Sequence, residues 1–302
     1  MSFTAKIINL ALKISGMKKL YLLPEDEFLR KVKKMNEKKV FYVPTDNKAI
    51  YKKHRIKGRE CLIVQKEKKR AKRAVLYFFG GGMMVGPDKG YIDAIVKLAK
   101  KSGCDIWYPM YPLCVDHCIT ETYEMIYECY KEMVKIYGGG NVSTCGFSSG
   151  GALAIGVAAY NNTMQDKLPQ PHHIVAVSPG EVPWNDEERS IMKENNSKDP
   201  LVDYAFMEKV EKFEKQGRED VPEFMIHMSK GDFSGVNHIH FVYSKDEVLY
   251  GAKQNFIDNC EKYQVKYTIR ERSGMFHCYA LFPYFKEAKE DFEEIAKILA
   301  EV

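Results

Sequence analysis

The stretch Val142-Ser143-Thr144-Cys145-Gly146-Phe147-Ser148-Ser149-Gly150-Gly151 decides how this chain is read. Val142 to Cys145 is a short run suited to a buried strand. A small-residue helix follows from about Ser149, with Gly151 to Tyr160 as its body. Between them, Gly146-Phe147-Ser148-Ser149-Gly150 fits G-x-S-x-G. The string alone is only suggestive, but strand, turn and helix in that order are what a nucleophile elbow requires. Its glycines leave room for a sharp turn that holds Ser148 in a strained conformation with its hydroxyl exposed. The new helix aims its free N–H groups and its dipole at developing negative charge. The competing reading is a plain glycine-rich strand-to-helix turn.

Upstream, Phe79-Gly80-Gly81-Gly82 ends the apolar run Ala74 to Phe79. Three glycines let the backbone approach a ligand and point N–H groups inward, so Gly81 and Gly82 together with Ser149 are candidate oxyanion donors. A phosphate loop would need a different glycine and lysine pattern, which is absent here. Downstream, Gly274-Met275-Phe276-His277 follows the strand Val265 to Arg270 and places His277 as candidate general base. His172 and His173 at a strand start, His238 and His240 within a strand, and His54 near the beginning fit that role less well. The required order of serine, acid, histidine selects His277.

Two segments compete for the acid. Asp199-Pro200-Leu201-Val202-Asp203 has no strand before it. Ser244-Lys245-Asp246-Glu247-Val248-Leu249 closes the strand His238 to Tyr243, where such an acid belongs. Only one of the adjacent Asp246 and Glu247 can face the imidazole. Glu247 is preferred, and Asp246 is its alternative.

The surrounding rhythm is α/β. Strands at Ala74, Cys104, Val142, His173, His238 and Val265 alternate with helices at Tyr91 to Lys101, Glu121 to Tyr137, Gly151 to Tyr160, 250–262 and 283–300. This predicts a mostly parallel central sheet flanked by helices. Two earlier strands, Ala49 to Ile56 and Glu60 to Gln65, turn at Gly58. Residues 183–235 break the rhythm and read as a helical cap, joined by helices in 1–45. The body is then 46–182 and 236–302. Residues Phe3, Ile7, Leu10, Ala11 and Ile14 share a helical face, with Lys6 and Lys13 off it, so a helix packed on the body is expected. A helix lying on a membrane surface is the alternative.

With 302 residues, 45% of them hydrophobic, the chain can bury a full core without a metal or disulfide staple. No apolar run is long enough to span a bilayer, and no secretory signal pattern opens the chain. The balance of 46 basic to 41 acidic residues is too even to imply nucleic acid. The basic run Lys66 to Arg73 reads as a solvated hairpin loop. Eight scattered cysteines read as buried reduced thiols of a cytoplasmic protein. Cys114, His117 and Cys118 lack the second ligand pair that zinc would need, so neither a metal nor a cofactor is expected.

Taken together, these segments resemble the hormone-sensitive-lipase-like branch of the α/β-hydrolases, especially bacterial acetyl esterases and lipases. Phe79 to Gly82 resembles the family's H-G-G-G, with Phe79 in place of the histidine. Tyr111-Pro112-Leu113 with Asp116-His117 resembles Y-R-L-A-P-E-H. Gly146 to Gly151 resembles G-D-S-A-G-G, with Phe147 in place of the aspartate, and Ser178-Pro179 with Trp184 resembles S-P-W. Lys198 to Leu201 resembles a recurrent cap segment, and Glu247-Val248-Leu249 resembles the acid motif. The resemblance implies an α/β-hydrolase fold with a helical cap, and a serine esterase acting on small, short-acyl esters. A binding protein that has lost catalysis, or a peptidase or amidase, are the other functions this scaffold allows.

Overall fold

Alternation of strand and helix is realised as one eight-stranded sheet. The computed structural model describes residues 2–301. The strands are β1 (Ile50–Ile56), β2 (Arg59–Gln65), β3 (Ala74–Phe78), β4 (Asp105–Pro109), β5 (Val142–Phe147), β6 (Ile174–Val177), β7 (His238–Ser244) and β8 (Lys266–Arg272). Their spatial order is β1-β2-β4-β3-β5-β6-β7-β8. β1 pairs antiparallel with β2, and β2 with β4. Every pairing beyond β4 is parallel. β3 to β6 are buried at every residue because helices cover both faces, so they read as continuous runs rather than alternating ones.

Helices α1 (Phe3–Ser15) and α2 (Glu25–Asn36) precede the sheet. α3 (Lys89–Ser102), α4 (Ile119–Tyr137) and α5 (Ser149–Thr163) connect its strands. α6 (Asp186–Asn195), α7 (Tyr204–Met207), α8 (Val210–Lys215) and α9 (Glu223–Ile226) occupy the stretch between β6 and β7. α10 (Lys253–Lys262) and α11 (Lys286–Ala300) complete the chain. The two helical stretches outside the α/β rhythm meet each other. Phe28 of α2 stacks on Phe213 of α8 with ring centroids 5.5 Å apart, and Tyr21 lies 4.9 Å from Phe206 of α7. The Lys209 ammonium donates to the Leu23 carbonyl at 3.1 Å.

Two expectations are corrected. First, α1 does not turn the Phe3, Ile7, Leu10 and Ile14 face inward. These side chains are 78%, 52%, 59% and 77% exposed, while Ala5, Ile8 and Leu12 face the body. The helix carries apolar residues on two sides, and the Phe3, Ile7, Leu10 and Ile14 stripe is its outer face. Second, Lys66 to Arg73 is not a hairpin loop. β2 pairs with β4, not with β3, so this exposed run is a crossover between strands that are not neighbours. The buried Asp105 carboxylate anchors it, accepting from Gln65 Nε2 at 2.6 Å and from the Ala71 amide at 3.2 Å.

Candidate active site

The sheet brings the candidate serine, acid, histidine and oxyanion segments to the carboxyl ends of its parallel strands. Phe79 to Gly82 leaves β3, Ser148 leaves β5, Ser178 leaves β6, Glu247 follows β7 and His277 follows β8. Ser148 has φ 59° and ψ −131° and sits as the N-cap of α5. The turn is possible only with glycine on both sides. A Cβ on Gly146 would lie 2.0 Å from the Gly150 carbonyl oxygen, and one on Gly150 would lie 2.3 Å from that of Phe79. Of the seven non-glycine residues with positive φ among those described, Met83, Ser148, Ser178 and Cys278 all lie in this cluster. Backbone strain is concentrated where chemistry is expected.

Ser148 Oγ lies 2.9 Å from His277 Nε2, and His277 Nδ1 lies 2.7 Å from Glu247 Oε2. Glu247 is fully buried, and its second oxygen accepts from the Ser244 amide at 2.9 Å. Asp246 points elsewhere. Its carboxylate accepts from the Gly274 amide, and its own amide donates to Ser244 Oγ at 3.2 Å. Ser244 Oγ in turn donates to the Met275 carbonyl at 2.7 Å. Asp246 and Ser244 therefore fasten the loop that carries His277, while Glu247 meets the ring itself. Burial raises the Glu247 carboxyl above its usual range, against the imidazole that lowers it. Burial lowers the His277 imidazole, but Cys278 and Glu247 outweigh this and hold it well above an ordinary histidine. Cys278, one of the eight cysteines expected as buried thiols, has its Sγ 3.3 Å from His277 Nε2.

The Gly81 and Gly82 amides donate to no protein acceptor among the described residues. The amide of Ser149, first in its helix, has no intrahelical partner. Phe79 fills the place of the expected histidine by stacking on Tyr111, with centroids 4.1 Å apart and planes at 7°. The Tyr111 hydroxyl donates to the Phe79 carbonyl at 2.6 Å, and the Gly80 amide donates to the Tyr91 hydroxyl at 3.2 Å. Aromatic packing and two tyrosine hydroxyls thus hold a loop that an imidazole would otherwise brace. Asp199 makes no hydrogen bond to His277 among the described residues. It joins the cap to the acid loop, with Oδ2 accepting from the Val248 amide at 2.9 Å and Oδ1 from the Leu201 amide at 2.8 Å. His117 is engaged on both ring nitrogens, by Glu121 at 2.8 Å and Arg59 at 2.7 Å.

A cavity of about 50 Å³ opens beside Ser148. The helices of the insertion supply much of its wall through Phe206, Met207, Val210 and Glu214. Glu214 Oε2 is buried with no hydrogen-bond partner among the described residues, and burial holds this carboxyl well above its ordinary pKa. Glu181 also faces the cavity. Burial pushes it up to about 7, although Ser229 and Trp184 donate to it. A larger apolar cleft of about 330 Å³, between Met35, Tyr42, Ile92 and Tyr108, contains none of the candidate residues.

A parallel sheet with a serine elbow after a central strand, and an imidazole and a carboxylate delivered by later loops, defines an α/β-hydrolase. The family model described as alpha/beta hydrolase fold matches residues 75–281, and the chain belongs to that family. Similar solved structures extend the likeness over nearly the whole chain. A hormone-sensitive lipase from a metagenome library is 19% identical, with 98% of each chain covered and a TM-score of 0.80. An esterase from the bacterial hormone-sensitive lipase family is 18% identical, with 97% of each chain covered and a TM-score of 0.78. An esterase/lipase from an uncultured bacterium is 19% identical, covering 95% of this chain and 97% of its own, with a TM-score of 0.76. The comparison with curated proteins finds no match. Among the described residues, no helix is long and apolar enough to cross a membrane.

Proposed function

We propose that this protein is a serine esterase that hydrolyses small, short-acyl carboxylic esters through an acyl-enzyme. The observation that carries this reading is the unbroken relay from Ser148 Oγ to His277 Nε2 at 2.9 Å and from His277 Nδ1 to Glu247 at 2.7 Å. Ser148 Oγ attacks the ester carbonyl carbon while His277 Nε2 takes its proton. The carbonyl oxygen gains charge and is held by the amides of Gly81, Gly82 and Ser149, each worth about 3 kcal/mol in such sites. His277 returns the proton to the departing alkoxide as the C–O bond breaks, leaving Ser148 acylated. Water, deprotonated by the same imidazole, then releases the acid and restores Ser148. Glu247 holds the ring in the tautomer whose Nε2 is free to accept, and stabilises the imidazolium.

The apolar cap side chains Phe206, Met207 and Val210 crowd the cleft beside Ser148, which supports small acyl groups over long chains. Residues 1–45 and 183–235 act as the cap, over a body of 46–182 and 236–302. All eight cysteines are free and buried, which supports a reducing, cytoplasmic setting. The test is hydrolysis of p-nitrophenyl acetate, butyrate and decanoate by the wild type and by Ser148→Ala. Turnover of the short esters that vanishes in the variant is expected. Equal turnover in both proteins, or none in folded wild type, overturns the reading.

A further inference from the structure

At the opposite end of the sheet lies a second cluster of histidines, which the ester chemistry does not use. His173 immediately precedes β6, and His238 and His240 lie on β7. The parallel register pairs Ile174 with Ile239 and Val175 with His240, so His173 stands level with His238. Side chains two apart on a strand share a face, so all three imidazoles project from the same side of the sheet. One ring nitrogen from each lies within 4.8 Å of the other two. His173 Nδ1 and His240 Nε2 are 3.1 Å apart, and the His238 and His240 ring centroids are 3.8 Å apart.

We propose that His173, His238 and His240 form a binding site for one divalent transition-metal ion of the zinc class, structural rather than catalytic. A tetrahedral ion with bonds of about 2.05 Å sets its nitrogen ligands about 3.4 Å apart. The closest pair is already near that spacing, and the third nitrogen lies within 4.8 Å of both. The outer shell is in place. His240 Nδ1 lies 2.8 Å from Thr268 Oγ1, a hydroxyl that can accept the Nδ1 proton when Nε2, which faces His173, binds an ion. His238 Nε2 is buried and has no hydrogen-bond partner among the described residues, so the hydrogen bonding of the protein leaves one nitrogen of the trio over. An entry path exists. A groove of about 360 Å³ between β7, β8 and α11 is lined by His238, His240 and Thr268, and also by Glu294 and Glu301. Those carboxylates give a cation a favourable mouth, partly opposed by Arg270 in the same groove, Lys266 near His238 and Arg73 near His173. Imidazole donors without thiolates suit zinc, cobalt or nickel rather than calcium or magnesium. The ion would tie β6 to β7 at their amino ends. Four residues of β7, Phe241 to Ser244, lie between His240 and the acid loop, about 13 Å at strand rise, so the ion makes no contact with the acyl-transfer residues.

The experiment uses the full chain, made without a polyhistidine tag, stripped with chelator and titrated with Zn²⁺ and Co²⁺. Expected are one Zn²⁺ per chain with a Kd below about 1 μM, visible d–d bands on adding one equivalent of Co²⁺, and a rise in Tm with Zn²⁺. His238→Ala, at the half-exposed edge of the cluster, abolishes the bands without emptying the core. Thr268→Val weakens binding about 10- to 100-fold. Absence of retained zinc and of bands, binding only at millimolar metal, or bands unchanged in His238→Ala would each overturn the site.

Discussion

The two ends of the parallel sheet hold histidines of similar burial in opposite electrical settings. At the carboxyl end, His277 has the buried Glu247 carboxylate 2.7 Å from Nδ1, and its pKa is held well above the ordinary value. At the amino end, His173 and His240 meet each other and Thr268, with no carboxylate in contact among the described residues. Burial and the neighbouring imidazoles lower His173 to about 4 and His240 to about 3. Desolvation penalises the cation at both ends, and the outcome turns on whether an anion answers it. A ring with a carboxylate behind it can take a proton from a hydroxyl and hold it. Rings without one stay neutral and offer lone pairs.

His277→Ala should break this comparison most severely, costing about 10⁴- to 10⁶-fold in kcat, because serine and histidine act as a unit. Glu247→Gln comes next, at about 10⁴-fold, since the amide cannot enforce the reactive tautomer. It carries a second signature. His277 accepts the serine proton only when neutral, and its raised pKa keeps it protonated to higher pH than a free imidazole. In the wild type, kcat/KM should therefore fall as pH drops through a value above ~6.5. Residual activity of Glu247→Gln should have that acid limb moved to lower pH, because a raising partner is gone. A wild-type limb at or below ~6.5 would contradict the account of Glu247.

What the sequence made legible was the part fixed by sterics. Gly146 and Gly150 are obligatory because a Cβ at either meets backbone at close to 2 Å, so the elbow survives in the letters. The order of serine, acid and histidine follows from strands delivering loops to one edge. The choice between Asp246 and Glu247 was open because adjacent carboxylates differ only in the direction the loop gives them. One reaches the Gly274 amide and the other the imidazole. The walls of the pocket were hidden. Phe206, Met207 and Glu214 come from helices of four and six residues, too short to show a period. α1 misled because it is apolar on two sides, and periodicity names a face without saying where it points. The histidine trio leaves no pattern in the sequence because its members are 67 residues apart at the widest, and only the β6–β7 register joins them.

Asp246→Asn is a finer test. The side-chain oxygen of asparagine can still accept from the Gly274 amide, so less than about tenfold should be lost from kcat/KM, with no movement of the acid limb. A shifted limb would mean that Asp246 acts on the imidazole electrostatically and not through the loop.

The smallest effect belongs to the other end of the sheet. His238→Gln changes a residue that touches neither Ser148 nor the loops holding His277 and Glu247. Esterase kcat/KM should stay within about twofold of wild type, as it does for independent sites far apart. What should change is the response of Tm to Zn²⁺, since linkage stabilises only a fold that binds the ion. If instead kcat/KM fell in step with the zinc response, the two ends would be coupled through β7, which runs from His238 to Ser244 and carries one cluster at each terminus. The amino end would then have to be counted as part of the machinery that positions Glu247.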